Sequence, residues 1–410
     1  MITETGVRRP SRRLRDLRPR TALELWVVTP VLGWTALYCL KWLGLGALAP
    51  DTMAGFYNAS AYWVSYRDGF VRRGLPGAVL EAVLGRPPGV FAASVVAVLL
   101  VLLVLAALAA LTVAAVRATP SPQDRVVVAA LVLASPFTLT LAVINRGRYD
   151  AIVVACVVAV VLLARRRTVP LLRVLGISLA VVVGVGSLEI SLTFLGPLAL
   201  LAAVRLGRTT AERVGWGALA VLPGLALAAA SLVVRPGVGT LLTIMERASA
   251  AGIPLSRSEE NSISALGQTT RDALVHTAGI APLTILFCAV VLGGCYALTA
   301  GLLWTYLGHV HPRWALALLS LYGFGALALS AVGDDYRRWW GFAFVAMVAS
   351  LVLLRRDAVI IPAPRHADGP PGRRLLVVAL LVSAAMALFP IWPSWDQSGT
   401  NASIDQVQQD

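Results

Sequence analysis

Lysine is all but missing from this chain. Of 35 basic residues among 410, Lys41 is the only lysine and the rest are arginine. Acids are also scarce, 21 against those 35, which leaves a net charge of +14. Charged residues make up only 14% of the sequence, where a soluble domain carries about 25%. That shortage excludes an ordinary soluble domain. The four cysteines, Cys39, Cys156, Cys288 and Cys295, all lie inside apolar runs with no CxxC spacing and no histidine neighbours. A disulfide framework and a thiolate metal site are both disfavoured by that pattern. No glycine-rich loop joins a strand to a helix, so a nucleotide-binding domain is excluded, and no fixed period suggests a solenoid or propeller.

What the chain has in abundance is apolar sequence: 58% hydrophobic residues and a mean hydropathy of +0.78. Long apolar runs recur from Leu25 to Trp392. The expected fold is therefore all-α, a polytopic integral membrane protein with about 11 transmembrane helices. The spans are read near 24–48, 89–116, 125–144, 151–164, 171–188, 190–205, 214–234, 280–307, 314–332, 339–354 and 374–392. The basic stretch RRPSRRLRDLRPR has no small-residue cleavage site beside it and reads as a cytoplasmic arm over 1–22, not as a signal peptide. Residues 23–393 then form the membrane domain, with outer loops at 49–88 and 235–279, and 394–410 form a polar extracytoplasmic tail.

The segment 171–205 decides the topology, because one span there instead of two inverts everything downstream. Two spans place more arginine in the cytoplasmic connections, as the positive-inside rule requires. A single helix of that length would also run about 50 Å, too long for a hydrocarbon core about 30 Å thick. The reading is two spans meeting near Glu189, with the N-terminus inside and the C-terminus outside. Arginine dominance suggests a bacterial inner membrane protein. Basic balance would raise nucleic acid as a partner for a soluble chain. Here the partners expected are membrane lipids, whose anionic headgroups meet the cytoplasmic arginines, and not nucleic acid.

With that threading, acids beside arginines recur at several outer helix ends. The first loop holds Asp51, Asp68, Arg67, Arg72 and Arg73; NRGRYD supplies Arg146, Arg148 and Asp150; Glu189 sits between two spans; and GDDYRRWW supplies Asp334, Asp335, Arg337 and Arg338. Outer arginines oppose the orienting rule, so they need another reason to be there. Arginine's planar fork pairs bidentately with phosphate oxygens and keeps its charge. A carboxylate among arginines stays ionised and suits a general base. The same pairs also suit simple stapling of neighbouring helices. TMAGFYNASAYWVSY, between Asp51 and Asp68, places Phe56, Ala59, Trp63 and Tyr66 on one stripe, the pattern of an amphipathic helix at headgroup level. Leu241, Leu242, Met245, Ile263, Leu266 and Leu274 suggest two more such helices in the second outer loop.

Asp51 directly after the first span, the amphipathic stretch 53–66 and DGFVRRGLPG give this chain a likeness over its first 90 residues. In these it resembles the GT-C superfamily of polytopic membrane glycosyltransferases, and further on in topology alone. The paired acids frequent in that superfamily's first loop are absent here, since Thr52 follows Asp51. The resemblance implies inverting transfer of a sugar from a polyprenyl-phosphate carrier to an extracytoplasmic glycan or glycolipid acceptor of the cell envelope. Asp51 or Asp68 would be the catalytic base. Arg67, Arg72, Arg73, Arg146, Arg148, Arg337 and Arg338 would hold the phosphate. The resemblance leaves the need for a metal open: Asp334 and Asp335 could hold Mg²⁺, and adjacent acids beside Arg337 and Arg338 also suit plain salt bridges. Two other readings stand beside it. A polysaccharide polymerase of the Wzy type would use the loop arginines Arg235, Arg247, Arg257 and Arg271. A flippase without chemistry would use Glu189 as a proton-coupled carboxylate, although no pair of similar halves is visible.

Overall fold

The computed structural model describes residues 60–354, apart from 120–121, 134, 140, 143–146, 254, 256–260, 270, 273, 276–281, 308–311 and 333–334. The expected arm at 1–22, the spans at 24–48 and 374–392 and the tail at 394–410 lie outside the described residues. Every element among the described residues is helical. In chain order these are α1 (Leu75–Leu84), α2 (Val90–Ala118), α3 (Pro122–Leu133), α4 (Pro136–Leu139), α5 (Asp150–Arg165) and α6 (Pro170–Ser187). They continue as α7 (Leu192–Val204), α8 (Thr210–Val233), α9 (Val238–Ala250), α10 (Pro282–Leu307), α11 (Pro312–Ser330) and α12 (Tyr336–Leu354). Six of them, α2, α6, α8, α10, α11 and α12, are long and apolar enough to cross a membrane.

Helix α2 shows why such a segment tolerates a bilayer. Its two hydroxyl side chains bond back to their own helix, Ser94 Oγ to the Val90 carbonyl at 2.9 Å and Thr112 Oγ1 to the Leu108 carbonyl at 2.7 Å. Neither hydroxyl is left for lipid to strand, and its one charge, Arg117, stands in the last turn. Its 29 residues reach about 44 Å at 1.5 Å per residue. The single span expected over 125–144 is instead broken into α3 and α4. Pro136 has no N–H to donate and pushes the residue before it out of helical conformation, so the ladder stops. The Thr138 hydroxyl donates to the freed Val132 carbonyl at 2.7 Å.

The two-span reading of 171–205 finds its counterpart in α6 and α7. Leu188 is extended (φ −160°, ψ 105°), and a 3₁₀ turn over Glu189–Ser191 reverses the chain. The pair is antiparallel, because Pro170 and Arg173 at the start of α6 share one cavity with Ala202 and Arg205 at the end of α7. Gly184 permits the close approach: a Cβ there would lie 2.3 Å from Leu195 Cδ1.

Helix α12 occupies the centre. Every residue from Trp339 to Leu353 is buried, which a helix apolar on all sides requires. Around it pack α2, α4, α5, α7, α10 and α11. The Tyr322 and Ser350 hydroxyls join α11 to α12 at 2.8 Å. Apolar side chains on α8 and α11, including Leu222, Val233, Trp314 and Phe324, face outward, as lipid-facing positions do.

The first outer loop departs from expectation. Residues 53–59 of the expected amphipathic helix lie outside the described residues; from Ser60 on, that stretch forms two 3₁₀ turns, Ser60–Trp63 and Tyr66–Asp68, tucked into the bundle end ahead of α1. Trp63 is wholly buried and its indole N–H donates to the Pro88 carbonyl at 2.9 Å. Bulky aromatics gain as much from a protein pocket as from a membrane interface, and here a buried hydrogen-bond partner decides. In the second outer loop one of the two expected helices is found as α9, with Leu241, Ile244, Met245 and Ala248 buried. Ile263 and Leu266 instead belong to a buried 3₁₀ turn, Ser264–Leu266, and its entry.

Candidate functional site

One end of the bundle collects the starts of α5 and α12, the reversal between α6 and α7, and both outer-loop segments. Arg73 stands at the head of α1 in left-handed conformation (φ 62°), rare for a side chain of its size. That backbone turns its guanidinium onto Glu189, which accepts from Nε at 2.9 Å and from Nη2 at 2.8 Å. The Arg72 guanidinium lies 3.9 Å from the same carboxylate and donates to the carbonyls of Ala265 and Gln268, tying the two outer loops together. Burial pushes the Glu189 carboxyl up. The charge and hydrogen bonds of Arg73 and the charge of Arg72 outweigh it, bringing the pKa down to about 2.

A second network faces the first. Asp335, just before α12, accepts from Arg148 at 2.9 Å and from Arg338 at 3.1 Å, both on its Oδ2. Arg338 also reaches Asp150 at 2.5 Å, and its guanidinium lies 5.1 Å from the centre of the Trp339 ring. Asp150 is fully buried at the first residue of α5, where the helix dipole favours a carboxylate. Burial raises the Asp335 carboxyl and the two arginines outweigh it, so its pKa lies below the ordinary range.

Between the two networks lies a cavity of about 100 Å³. Arg73, Arg148, Arg338 and Asp335 all line it, together with Tyr62 and Tyr149. The two rings meet edge-on, with centroids 5.4 Å apart. Burial raises the pKa of both hydroxyls, and for Tyr149 the charge of Tyr62 adds to it, so both remain neutral. The Tyr62 hydroxyl donates to the Gly147 carbonyl, and Ser262 and Leu266 of the second outer loop complete the wall. Among the described residues three cations face one directly lining acid, with Glu189 and Asp150 behind them fixing where the forks point. An arrangement of this kind can hold a phosphate between fixed guanidinium groups beside an ionised carboxylate.

Of the residues expected at such a site, Arg72, Arg73, Arg148, Asp150, Glu189, Asp335 and Arg338 are brought together. Asp51, Arg146 and Asp334 lie outside the described residues. Asp68 does not line the cavity: Arg247 holds it at 2.5 Å and also reaches Glu81 at 3.4 Å, which staples α9 to the first loop. Arg67 is exposed beside it, and Arg337 does not line the cavity either. Among the described residues, no three histidine, cysteine or acidic side chains come together as a metal would need. Asp335 Oδ2 is engaged by two guanidinium groups that would repel a divalent cation, so Mg²⁺ on this residue does not fit. Sequence reasoning missed Tyr62 and Tyr149, although both lie within segments that it singled out.

A family model described as uncharacterised membrane protein Rv1490 matches residues 28–252, rather more than half of the chain. The matched stretch includes Arg72, Arg73, Arg148, Asp150, Glu189 and Arg247, while Asp335 and Arg338 follow it. No curated protein and no solved structure matches the chain.

Proposed function

Since the chain belongs to the family described as uncharacterised membrane protein Rv1490, a membrane setting is the premise from which we propose a function. The protein is a multi-pass enzyme of the bacterial inner membrane with about 11 spans, N-terminus inside and C-terminus outside. It transfers a sugar from a polyprenyl-phosphate carrier to a glycan or glycolipid acceptor at the outer face. The observation that carries this reading is the cavity in which Arg73, Arg148 and Arg338 converge beside Asp335.

The reaction is an inverting displacement. An acceptor hydroxyl oxygen attacks the anomeric carbon, the bond from that carbon to the phosphate oxygen breaks, and the hydroxyl proton passes to a carboxylate. The lipid phosphate leaves with the electron pair, its charge met by the arginines. Asp335 is the acid on the cavity wall and takes the place first assigned to Asp68. Asp51 keeps its candidacy from its position after the first span. A phosphate entering the cavity competes with Asp335 for Arg148 and Arg338. As it draws them away it removes the charges that lower the Asp335 pKa, so the base strengthens when donor is bound.

Glu189 as the proton-coupled group of a flippase suits the geometry less well. A carboxylate with a pKa of about 2 does not exchange protons near neutral pH. In the polymerase reading, Arg247 is already engaged by Asp68 and Glu81. The test is conversion of a polyprenyl-phosphate sugar by the purified chain in detergent, without a gradient. Turnover that Asp335→Asn or Asp51→Asn reduces at least 100-fold supports the reading. If all donors tried are left intact while lipid-linked sugar still crosses proteoliposome membranes, the protein is a transporter and the mechanism fails.

A further inference from the structure

Two of the three arginines on the cavity wall are placed by their own helix ends. Arg338 lies in the first turn of α12, and Arg73 is set by its left-handed backbone at the head of α1. Arg148 is placed differently. It stands two residues ahead of α5, directly after Gly147, whose φ of 72° turns the chain sharply. Downstream, the Arg148 carbonyl accepts from the Ala151 N–H at 3.3 Å, so the start of α5 fixes that side. Upstream, the Gly147 carbonyl accepts from the Tyr62 hydroxyl, a group of the first outer loop that lies 85 residues away in sequence.

That phenol is itself firmly mounted. Tyr62 belongs to the Ser60–Trp63 turn, and both ends of the turn are tied to other segments. Ser60 Oγ meets Ser262 Oγ at 2.5 Å, and the Trp63 indole N–H donates to the Pro88 carbonyl at 2.9 Å. The Tyr149 ring packs edge-on against Tyr62, and its hydroxyl makes a longer bond, 3.4 Å, to the Ala61 carbonyl. Each tyrosine thus bonds to backbone beside the other, and together they clamp the first loop to the head of α5. Tyr62 is only 2% exposed, and a hydrogen bond in so dry a place holds its partners more firmly than one in water.

We infer that Tyr62 is a positioning residue for phosphate binding that acts through Arg148, a role that rests on the proposed reading of this cavity as the site of a lipid phosphate. Asp335 aims the Arg148 fork at 2.9 Å, and a phosphate that draws the fork away gives up that guide. The backbone bracket then decides where the guanidinium reaches. Donors fixed in advance bind an anion without the cost of ordering them on arrival.

Binding of undecaprenyl phosphate to the purified full chain in detergent tests the assignment. Arg148→Gln is expected to weaken binding about 30-fold, the worth of hydrogen bonds to a charged group. Tyr62→Phe keeps the ring and its packing, and should weaken binding about 10-fold. The double variant should bind within about 2-fold of Arg148→Gln alone, because a residue acting through Arg148 then has nothing to position. Tyr149→Phe removes a phenol from the same wall without touching Gly147, and should change binding by less than about 3-fold. Effects that multiply in the double variant overturn the positioning role and leave the phosphate site standing. So does a Tyr62→Phe chain that binds like the wild type, or an equal loss in Tyr149→Phe. A wild-type chain that does not bind undecaprenyl phosphate, or binding indifferent to Arg148→Gln, refutes the phosphate site itself and the role of Tyr62 with it.

Discussion

Replacing Glu189 with Gln gives the sharpest test of what holds this end of the bundle together. The carboxylate is 7% exposed and accepts two short bonds from Arg73, with Arg72 close behind. Removing its charge breaks the pair with the Arg73 guanidinium, and breaking a buried pair by removing one partner costs about 3–5 kcal/mol. The pKa of about 2 against an ordinary 4.5 gives an independent figure, on the order of 3 kcal/mol at neutral pH. Its sign is set by the downward shift. The pair's contribution is fully present above pH 4.5 and is lost as pH falls toward about 2. Unfolding of the purified chain in mixed detergent micelles should therefore show two effects. Glu189→Gln lowers stability at pH 7 by about 3 kcal/mol, and its deficit shrinks across that acid window. Arg73→Gln and the double variant complete a cycle whose coupling should exceed about 1 kcal/mol. Additivity within about 0.5 kcal/mol, or a deficit unchanged down to pH 3, would refute the pairing as a source of stability.

Other predictions concern single positions. Arg73→Lys keeps the charge but loses the fork, and should destabilise by about 1–2 kcal/mol in the same assay, less than Arg73→Gln. Gly77→Ala places a Cβ 2.0 Å from the Val64 carbonyl oxygen and should cost about 1–3 kcal/mol of stability, since backbone there cannot yield cheaply. Single cysteines at Ser187, Tyr336 and Thr209 should label from outside the cell at the first two positions only. Labelling at Thr209 with Tyr336 protected would place the arginine–carboxylate cavity on the cytoplasmic face and end the outward-facing mechanism. Arg247→Gln should destabilise the fold through Asp68 and Glu81 yet leave the KM for donor unchanged; a raised KM would return Asp68 to the site.

The apolar helices were legible because a bilayer demands long runs without stray polar groups, and α2, α8 and α11 meet that demand in plain sequence. So was the reversal at Glu189, through the distribution of arginine in the loops. Recurrence of acids beside arginines at helix ends marked six of the seven charged residues that the structure gathers at this end, Arg72, Arg73, Arg148, Asp150, Asp335 and Arg338, and Glu189 stood out alone between two apolar runs. The partners themselves were not legible. Asp68 and Arg247 are 179 residues apart, and a single sequence carries no sign that they meet. Nor does hydrophobicity distinguish lipid from protein as the place where an aromatic is buried, which is why Trp63 read as interfacial. Ser135–Pro136 did carry its own warning, since proline cannot continue the ladder, but the apolar run on either side concealed it.

Helix α7 has 13 residues and α5 has 16, lengths of about 20 and 24 Å in a membrane whose oily interior is about 30 Å thick. In the proposed reading the shortfall is taken up at the end that carries Glu189 and Asp335, which then lies in a basin sunk beneath the headgroups. A carrier whose polyprenyl chain is dissolved in the outer leaflet can slide sideways into such a basin without lifting its tail into water. A freely soluble sugar nucleotide would have to descend past the headgroups to reach the same arginines. In the proposed reading, the shortness of two helices thus acts as a filter on how a donor arrives.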